Sequence, residues 1–223
     1  MDELIEYAPF LAEGFVNNLK LSVVIAIFSL VLGTVLAAMR VSPTPVLRAA
    51  GSAYVNILRN TPLTLVLAFC YLGLSDTLGL VFSHEVPLTN SFWLAVLGMS
   101  AYTAAFVCEV LRSGINTVPM GQAEAARAIG LTFIQSLTLV IFPQAFRSVI
   151  APLASVLIAM IKNTTVVAAA GYTIDVAARM RETFDTTGVS IPIFLGIVLA
   201  FLVVILPIGY FSGRLAQKLA VAR

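Results

Sequence analysis

The sequence has little charge and few side chains that bind metals or form disulfides. Only 11% of its 223 residues are Asp, Glu, Lys or Arg, whereas soluble domains carry about 25%. With 60% hydrophobic residues, this scarcity excludes an ordinary soluble domain and predicts an integral membrane protein. Cys70 and Cys108 both lie in apolar runs, which predicts buried thiols rather than a disulfide. The only histidine, His84, is expected in a solvated loop, so no metal site is predicted.

A nucleotide-binding motif is also missing. The sequence contains no G-x-x-x-x-G-K-S/T phosphate-binding loop. We therefore expect this chain to bind no cofactor and to be no enzyme by itself. Any ATP hydrolysis that drives it has to come from a separate subunit.

Uncharged segments that are long enough to cross a membrane recur along the chain. A crossing helix needs about 20 mostly apolar residues, and residues 21–39, 86–108 and 186–213 carry no charge. Segments 54–75 and 149–172 contain one cation each, Arg59 and Lys162. The expected fold is all-α, a single membrane domain over residues 1–223 with five transmembrane helices. They lie at about residues 19–40, 54–75, 88–111, 148–172 and 190–212.

The cations are distributed unevenly between these spans. One side holds the 40–59 turn, the 112–147 loop and the C-terminus, with Arg40, Arg48, Arg59, Arg112, Arg127, Arg147, Arg214, Lys218 and Arg223. The other side holds only Arg179 and Arg181, with Lys20 near its edge. Since cytoplasmic loops carry an excess of Lys and Arg, we predict an outside N-terminus and a cytoplasmic C-terminus. The 112–147 loop is then cytoplasmic.

This loop contains a short segment of high helix propensity. Residues 122–129 are rich in Ala and Glu, and Gly130 is well placed to end the helix. A second apolar stretch, residues 133–142, precedes Pro143. The spacing alone is also compatible with an interfacial helical hairpin that only connects two spans.

The pattern Glu124-Ala125-Ala126-x3-Gly130-x9-Val140-Ile141-Phe142-Pro143 resembles the EAA loop of type I ABC importer permeases. Val140 and Phe142 are mild departures from the usual Ile and Leu. The segments 59–63 (Arg-Asn-Thr-Pro-Leu) and 162–165 (Lys-Asn-Thr-Thr) are similar to motifs of the polar amino-acid permeases, the histidine, glutamine and glutamate systems. The resemblance covers roughly residues 17–209.

The resemblance implies a five-helix permease core in a bacterial cytoplasmic membrane, paired with a second permease that is identical or homologous. It implies that Glu124, Ala125, Ala126 and Gly130 form a coupling helix on a cytoplasmic ATPase dimer that uses ATP and Mg. Arg127 is either a rim charge of that contact or a solvated side chain. An extracytoplasmic amino-acid-binding protein is the third implied partner, and no nucleic acid is expected. Transport would proceed by alternating access.

Candidate residues for the substrate path surround Lys162, which we place near the bilayer middle, where a cation is costly and usually functional. Lys162 either binds a substrate carboxylate or is a structural cation paired across the permease dimer. The other candidates are Asn163, Thr164, Thr165, Arg59, Asn60 and Thr61. Permeases for cationic substrates more often have an acid after this lysine, so Asn163 favours glutamate first and glutamine second.

Two charged residues end the third span. Glu109 and Arg112 are three residues apart on one helix face and are expected to pair as a structural or gate-lining pair. Arg59 is close to the inner interface, where snorkelling to the headgroups is the favoured interpretation.

Two other classes of function compete with an ABC permease. An ion-coupled secondary transporter half or a channel subunit needs intramembrane acids, and Glu109 is the only acid that borders a span. An assembly or anchoring protein needs neither a cytoplasmic EAA helix nor a lysine at the midplane. Co-purification of an ATPase with this chain would distinguish an ABC permease from both of these alternatives.

Overall fold

The computed structural model describes residues 2–219, with side chains from residue 5 onward. Arg223, one of the predicted cytoplasmic cations, lies outside the described residues. All regular elements within the described residues are helices, which confirms the all-α prediction. The longest helix, α1 (Asp2–Val41), packs along α4 (Pro87–Ile115), and α4 in turn packs against α7 (Phe142–Asn163).

The close approach of α1 and α4 depends on small residues. A Cβ on Gly33 would lie 2.5 Å from Val107 Cγ1 and 3.0 Å from the Ala104 carbonyl oxygen. The absence of that carbon lets the two backbones approach as membrane helices commonly do. Further along the same two helices, Leu21, Ile25 and Met99 are fully buried and form one core with part of α7.

The second predicted span is not one straight helix. Helix α2 (Pro45–Asn60) ends before Pro62, and α3 (Leu63–Ala68) continues as a π-helix over Phe69–Thr77. The two parts are bent by 106°. Pro62 disfavours helical geometry in the preceding residue, and Thr61 is extended, with φ −99° and ψ 131°.

The second half of the chain begins with two short helices, α5 (Met120–Ala128) and α6 (Phe133–Gln135). A π-helical turn, Ser136–Ile141, leads from α6 into α7. Helix α7 passes Pro152 without a break and then tightens into a 3-10 helix over Thr164–Ala170. Helices α8 (Val176–Thr187) and α9 (Ile191–Leu219) complete the described fold.

Four helices of the described residues are long and apolar enough to cross a membrane. They cover Ile5–Val41, Pro87–Ile115, Phe133–Ala170 and Ile191–Leu219, and the bent pair α2–α3 brings the number to five if it crosses as one span. The orientation of these helices in the membrane stays a prediction.

Candidate functional site

The candidate coupling helix α5 ends in a glycine cap. The amide of Leu131 donates to the Ala126 carbonyl at 3.1 Å, and that of Gly130 donates to the Arg127 carbonyl at 3.0 Å. This pair of bonds defines a Schellman motif, which needs a left-handed residue after the helix. Gly130 fills that position with φ +87°. The chain therefore turns sharply and leaves the last turn of α5 on the surface.

The side chains of α5 divide into two faces. Glu124, Ala125 and Arg127 are exposed, as is Gly130. Ala126 is buried, 3% exposed, on the face that packs against the turn Ser136–Ile141. Its side chain is therefore not available to a partner, contrary to the expectation that it shares the ATPase contact. The reason is that this face of α5 packs against the rest of the same chain and holds the helix in place.

Two apolar residues flank the exposed face of α5. Met120 and Ile129 are 75% and 78% exposed. The other exposed residues of α5 are polar or small. The EAA pattern does not contain Met120 or Ile129, although the sequence places them at the two ends of its Ala-rich segment.

Glu109 is the centre of a charge cluster at the end of α4. Its carboxylate pairs with Arg40 of α1 and lies 3.3 Å from Arg59 Nη1 of α2. Arg112, its expected partner, approaches only to 4.0 Å. The predicted pair is thus the weakest of three contacts, because arginines from two other helices reach the same carboxylate. Arg59, expected to snorkel, instead lies between Glu109 and the Phe106 ring, 5.8 Å from the ring centroid.

A cavity of about 260 Å³ lies between α4 and α7. Asn163 is the only predicted path residue in its wall, which is completed by Tyr102, Thr103, Phe106, Val156, Ala159 and Met160. Phe106 therefore borders both this cavity and the Arg59 guanidinium. Sequence reasoning missed Phe106, whose spacing three residues before Glu109 placed it on the same helix face.

The other predicted path residues are not gathered at this cavity. Lys162 is exposed and forms no ion pair within residues 5–219. Thr165 is half-buried and donates to the Lys162 carbonyl. Asn60 and Thr61 bond to carbonyls of their own helix, at Asn56 and Ile57.

Thr164 is structural rather than open to a substrate. Its hydroxyl is fully buried, donates to the Ile161 carbonyl and accepts from Asn18 Nδ2 at 3.0 Å. Asn18 also accepts from the Val176 amide at 2.8 Å. Thr164 was expected to line the substrate path, but its bond partner lies 146 residues away and is not visible in local spacing.

A buried acid lies where the chain enters α8. Asp175 caps this helix, and its carboxylate accepts from the amides of Ala177 and Ala178. Burial raises the pKa of Asp175 to about 6, although these hydrogen bonds act in the opposite direction. The neighbouring Arg179 is bonded instead to Glu13 Oε2 and to the Phe10 carbonyl, both at 2.7 Å. The described residues contain no cluster of His, Cys, Asp or Glu that could hold a metal.

Comparison with protein families matches residues 29–221 to the family "Binding-protein-dependent transport system inner membrane component". The glutamate transport system permease protein GluC of Corynebacterium efficiens is 45% identical, over 98% of this chain and 97% of its own. GluC of Corynebacterium glutamicum is 43% identical with the same coverage. A crystal structure of an amino acid ABC transporter with histidines superposes with a TM-score of 0.82, at 25% identity and 96% coverage of both chains.

Proposed function

This chain belongs to the binding-protein-dependent transport system inner membrane component family, and we propose that its amino-acid substrate is glutamate. It is the transmembrane subunit of an amino-acid ABC importer in a bacterial cytoplasmic membrane. The substrate proposal rests on the 45% identity to a glutamate permease over 98% of this chain. Glutamine is the second candidate, because the path residues are uncharged or cationic rather than acidic.

The cavity between α4 and α7 is our candidate for part of the translocation path. No acidic residue lines it. Lys162 follows Met160 of its wall by two residues and is exposed. Arg59 lies over Phe106, which forms the wall nearer to the charge cluster. These cations and the neutral Asn163 favour a carboxylate-bearing substrate over a cationic one, because opposite charge lowers the cost of entering a poorly solvated site.

Helix α5 is our candidate coupling element. Glu124, Ala125, Arg127 and Gly130 would contact a cytoplasmic ATPase dimer, which would bind the ATP and Mg that this chain has no motif to hold. A second permease, identical or homologous, would complete the path, and an extracytoplasmic binding protein would deliver the amino acid. The exposed polar face of α5, with Met120 and Ile129 beside it, supports a docking role.

Uptake by the reconstituted complex tests the substrate. Proteoliposomes with the permeases, the ATPase and the binding protein should take up labelled glutamate in preference to glutamine, arginine and histidine. Asn163→Asp should lower glutamate uptake about tenfold or more, since it adds a negative charge to the cavity wall. Asn56→Asp is the matched control, because Asn56 is exposed, lies outside the cavity and is not a path candidate. Preferred uptake of arginine or histidine would refute the assignment.

Co-purification tests the coupling role. Glu124→Lys should lower the amount of ATPase that co-purifies with the permease, because it reverses a charge on the exposed face of α5. Glu182→Lys makes the same change on α8, which we place on the outer side, and should leave the ATPase bound. Equal ATPase recovery from the two variants would contradict the coupling-helix assignment.

A further inference from the structure

A second cavity, of about 630 Å³, lies beside α5 on the side of the charge cluster. Its walls come from the turn between α1 and α2, the end of α4, helix α5 and the segment from α6 to the π-helical turn. Four guanidinium groups line it, those of Arg40, Arg48, Arg112 and Arg127, and no acidic residue does. We call it the arginine cavity.

The positive charge of the arginine cavity is only partly compensated. Glu109 lies outside its wall and shares one carboxylate among Arg40, Arg59 and Arg112. Arg48 donates only to the carbonyls of Ser42 and Pro43, and neither Arg48 nor Arg127 forms a salt bridge within residues 5–219. Several like charges around one concave surface attract an anion.

A polar side chain in the same wall has no partner. The Ser136 hydroxyl is buried and makes no hydrogen bond, and the residue is only 4% exposed. Arg40 Nε, also in this wall, is buried and unpaired in the same way. Buried polar groups are nearly always hydrogen-bonded, so two unpaired donors in one cationic cavity indicate a missing acceptor.

The position and the apolar part of the wall indicate a lipid as the source of that acceptor. Helix α4 has 29 residues and is therefore about 43 Å long, close to the thickness of a bilayer with its headgroups. Arg112 near its end thus lies at headgroup level. Val41, Ile115 and Ile141 provide apolar surface beside the guanidinium groups, which suits a molecule with a charged head and an apolar body.

We propose that the arginine cavity binds the phosphate of an anionic phospholipid. Arg48 and Arg127 supply charge-assisted hydrogen bonds to the phosphate oxygens, and the Ser136 hydroxyl donates a further bond. The glycerol and upper acyl carbons lie on the apolar wall. Because Arg127 belongs to α5, a bound lipid connects the candidate coupling helix to the ends of α1 and α4. The proposal rests on this cavity alone and not on the transported substrate.

Native mass spectrometry of the purified full chain, titrated with phosphatidylglycerol and with phosphatidylcholine, tests the proposal. The wild type should bind phosphatidylglycerol more tightly, and Arg48→Gln with Arg127→Gln should weaken that binding about tenfold or more, the effect of losing charge-assisted hydrogen bonds. Arg147→Gln with Arg214→Gln removes two cations outside the cavity and should retain the wild-type affinity. Ser136→Ala should weaken binding about threefold while leaving the charge unchanged.

Three results would overturn the proposal. Equal affinity for the two lipids would show that the phosphate charge is not recognised. Equal loss in the two double variants would reduce the effect to general electrostatic attraction. Displacement of the lipid by inorganic phosphate at millimolar concentration, with the same dependence on Arg48 and Arg127, would replace the lipid by a soluble phosphate.

Discussion

At the scale of single residues, the most constrained charge is the carboxylate of Glu109. Three arginines from three helices approach it, and Arg40, with a side chain only 9% exposed, depends on it most. A buried guanidinium that loses its counter-ion keeps its desolvation cost and loses its compensation. Glu109 therefore stabilises the meeting point of α1, α2 and α4.

Glu109→Gln should destabilise the fold by about 2 kcal/mol, which lowers the thermal midpoint by about 4–8 °C for a chain of this size. The single tryptophan, Trp93, provides a fluorescence signal for the unfolding of the detergent-purified chain. Glu182→Gln, at an exposed glutamate without an ion pair in the described part of the chain, should change the midpoint by less than about 2 °C. Equal midpoints for the two variants would contradict a structural role of the cluster.

The raised pKa of Asp175 predicts that the stability of the fold depends on pH. Burial raises its pKa from 3.8 to about 6 in the folded state. Below about pH 3 the carboxyl is protonated in both states and the shift has no effect. Between about pH 3 and 7 the unfolded carboxyl ionises first, so the folded state loses stability as the pH rises, and the loss, on the order of 3 kcal/mol, is complete above about pH 7.

Asp175→Asn keeps a good helix cap but removes this titration. The thermal midpoint of the variant minus that of the wild type should be near zero at about pH 3 and should rise to a plateau above about pH 7. Asp185→Asn, at an exposed position of the same helix, should give a difference that does not vary over this range. If the difference for Asp175→Asn is equally flat, burial does not raise the pKa of the Asp175 carboxyl in the folded state.

At the scale of elements, the end of α5 depends on one backbone conformation. Gly130 has φ +87°, a region that side-chain-bearing residues rarely adopt, and a Cβ there would meet no atom within 4 Å. Gly130→Ala should therefore act through the backbone alone. We expect a cost of about 1 kcal/mol for the cap and reduced recovery of the ATPase.

Gly121→Ala is the matched control for this element. Gly121 lies inside α5, and a Cβ there would also meet no atom within 4 Å, but its φ is ordinary. Alanine should stabilise the helix slightly and leave ATPase recovery unchanged. If Gly121→Ala and Gly130→Ala release the ATPase equally, the cap geometry is not what positions the helix.

How much the sequence predicts depends on how local the cause is. The apolar runs predict the long helices, and the position of Gly130 predicts the end of α5, because both depend on neighbouring residues. The bond from Asn18 to Thr164 and the pair of Arg40 with Glu109 join residues far apart in the chain. Such partners depend on helix packing, so local spacing assigned Glu109 to Arg112 instead.

At the scale of the whole molecule, large apolar surfaces remain uncovered. Helix α9 has several strongly exposed apolar side chains, among them Val203, Leu206 and Phe211, at 71%, 63% and 67% exposure. Such surface is stable only against lipid or another apolar protein surface. A lipid-facing α9 is compatible with the membrane localisation of this family.

The orientation of the whole bundle is the last prediction. The excess of cations on one side predicts that His84 lies outside and Lys218 inside. Single substitutions His84→Cys and Lys218→Cys place thiols at exposed positions, while the native Cys70 and Cys108 are buried and should give little background labelling. A membrane-impermeant maleimide should label the His84→Cys variant in intact cells and the Lys218→Cys variant only after permeabilisation. The reverse pattern would place α5 outside the cell, where no ATPase can reach it, and would refute the coupling role together with the orientation.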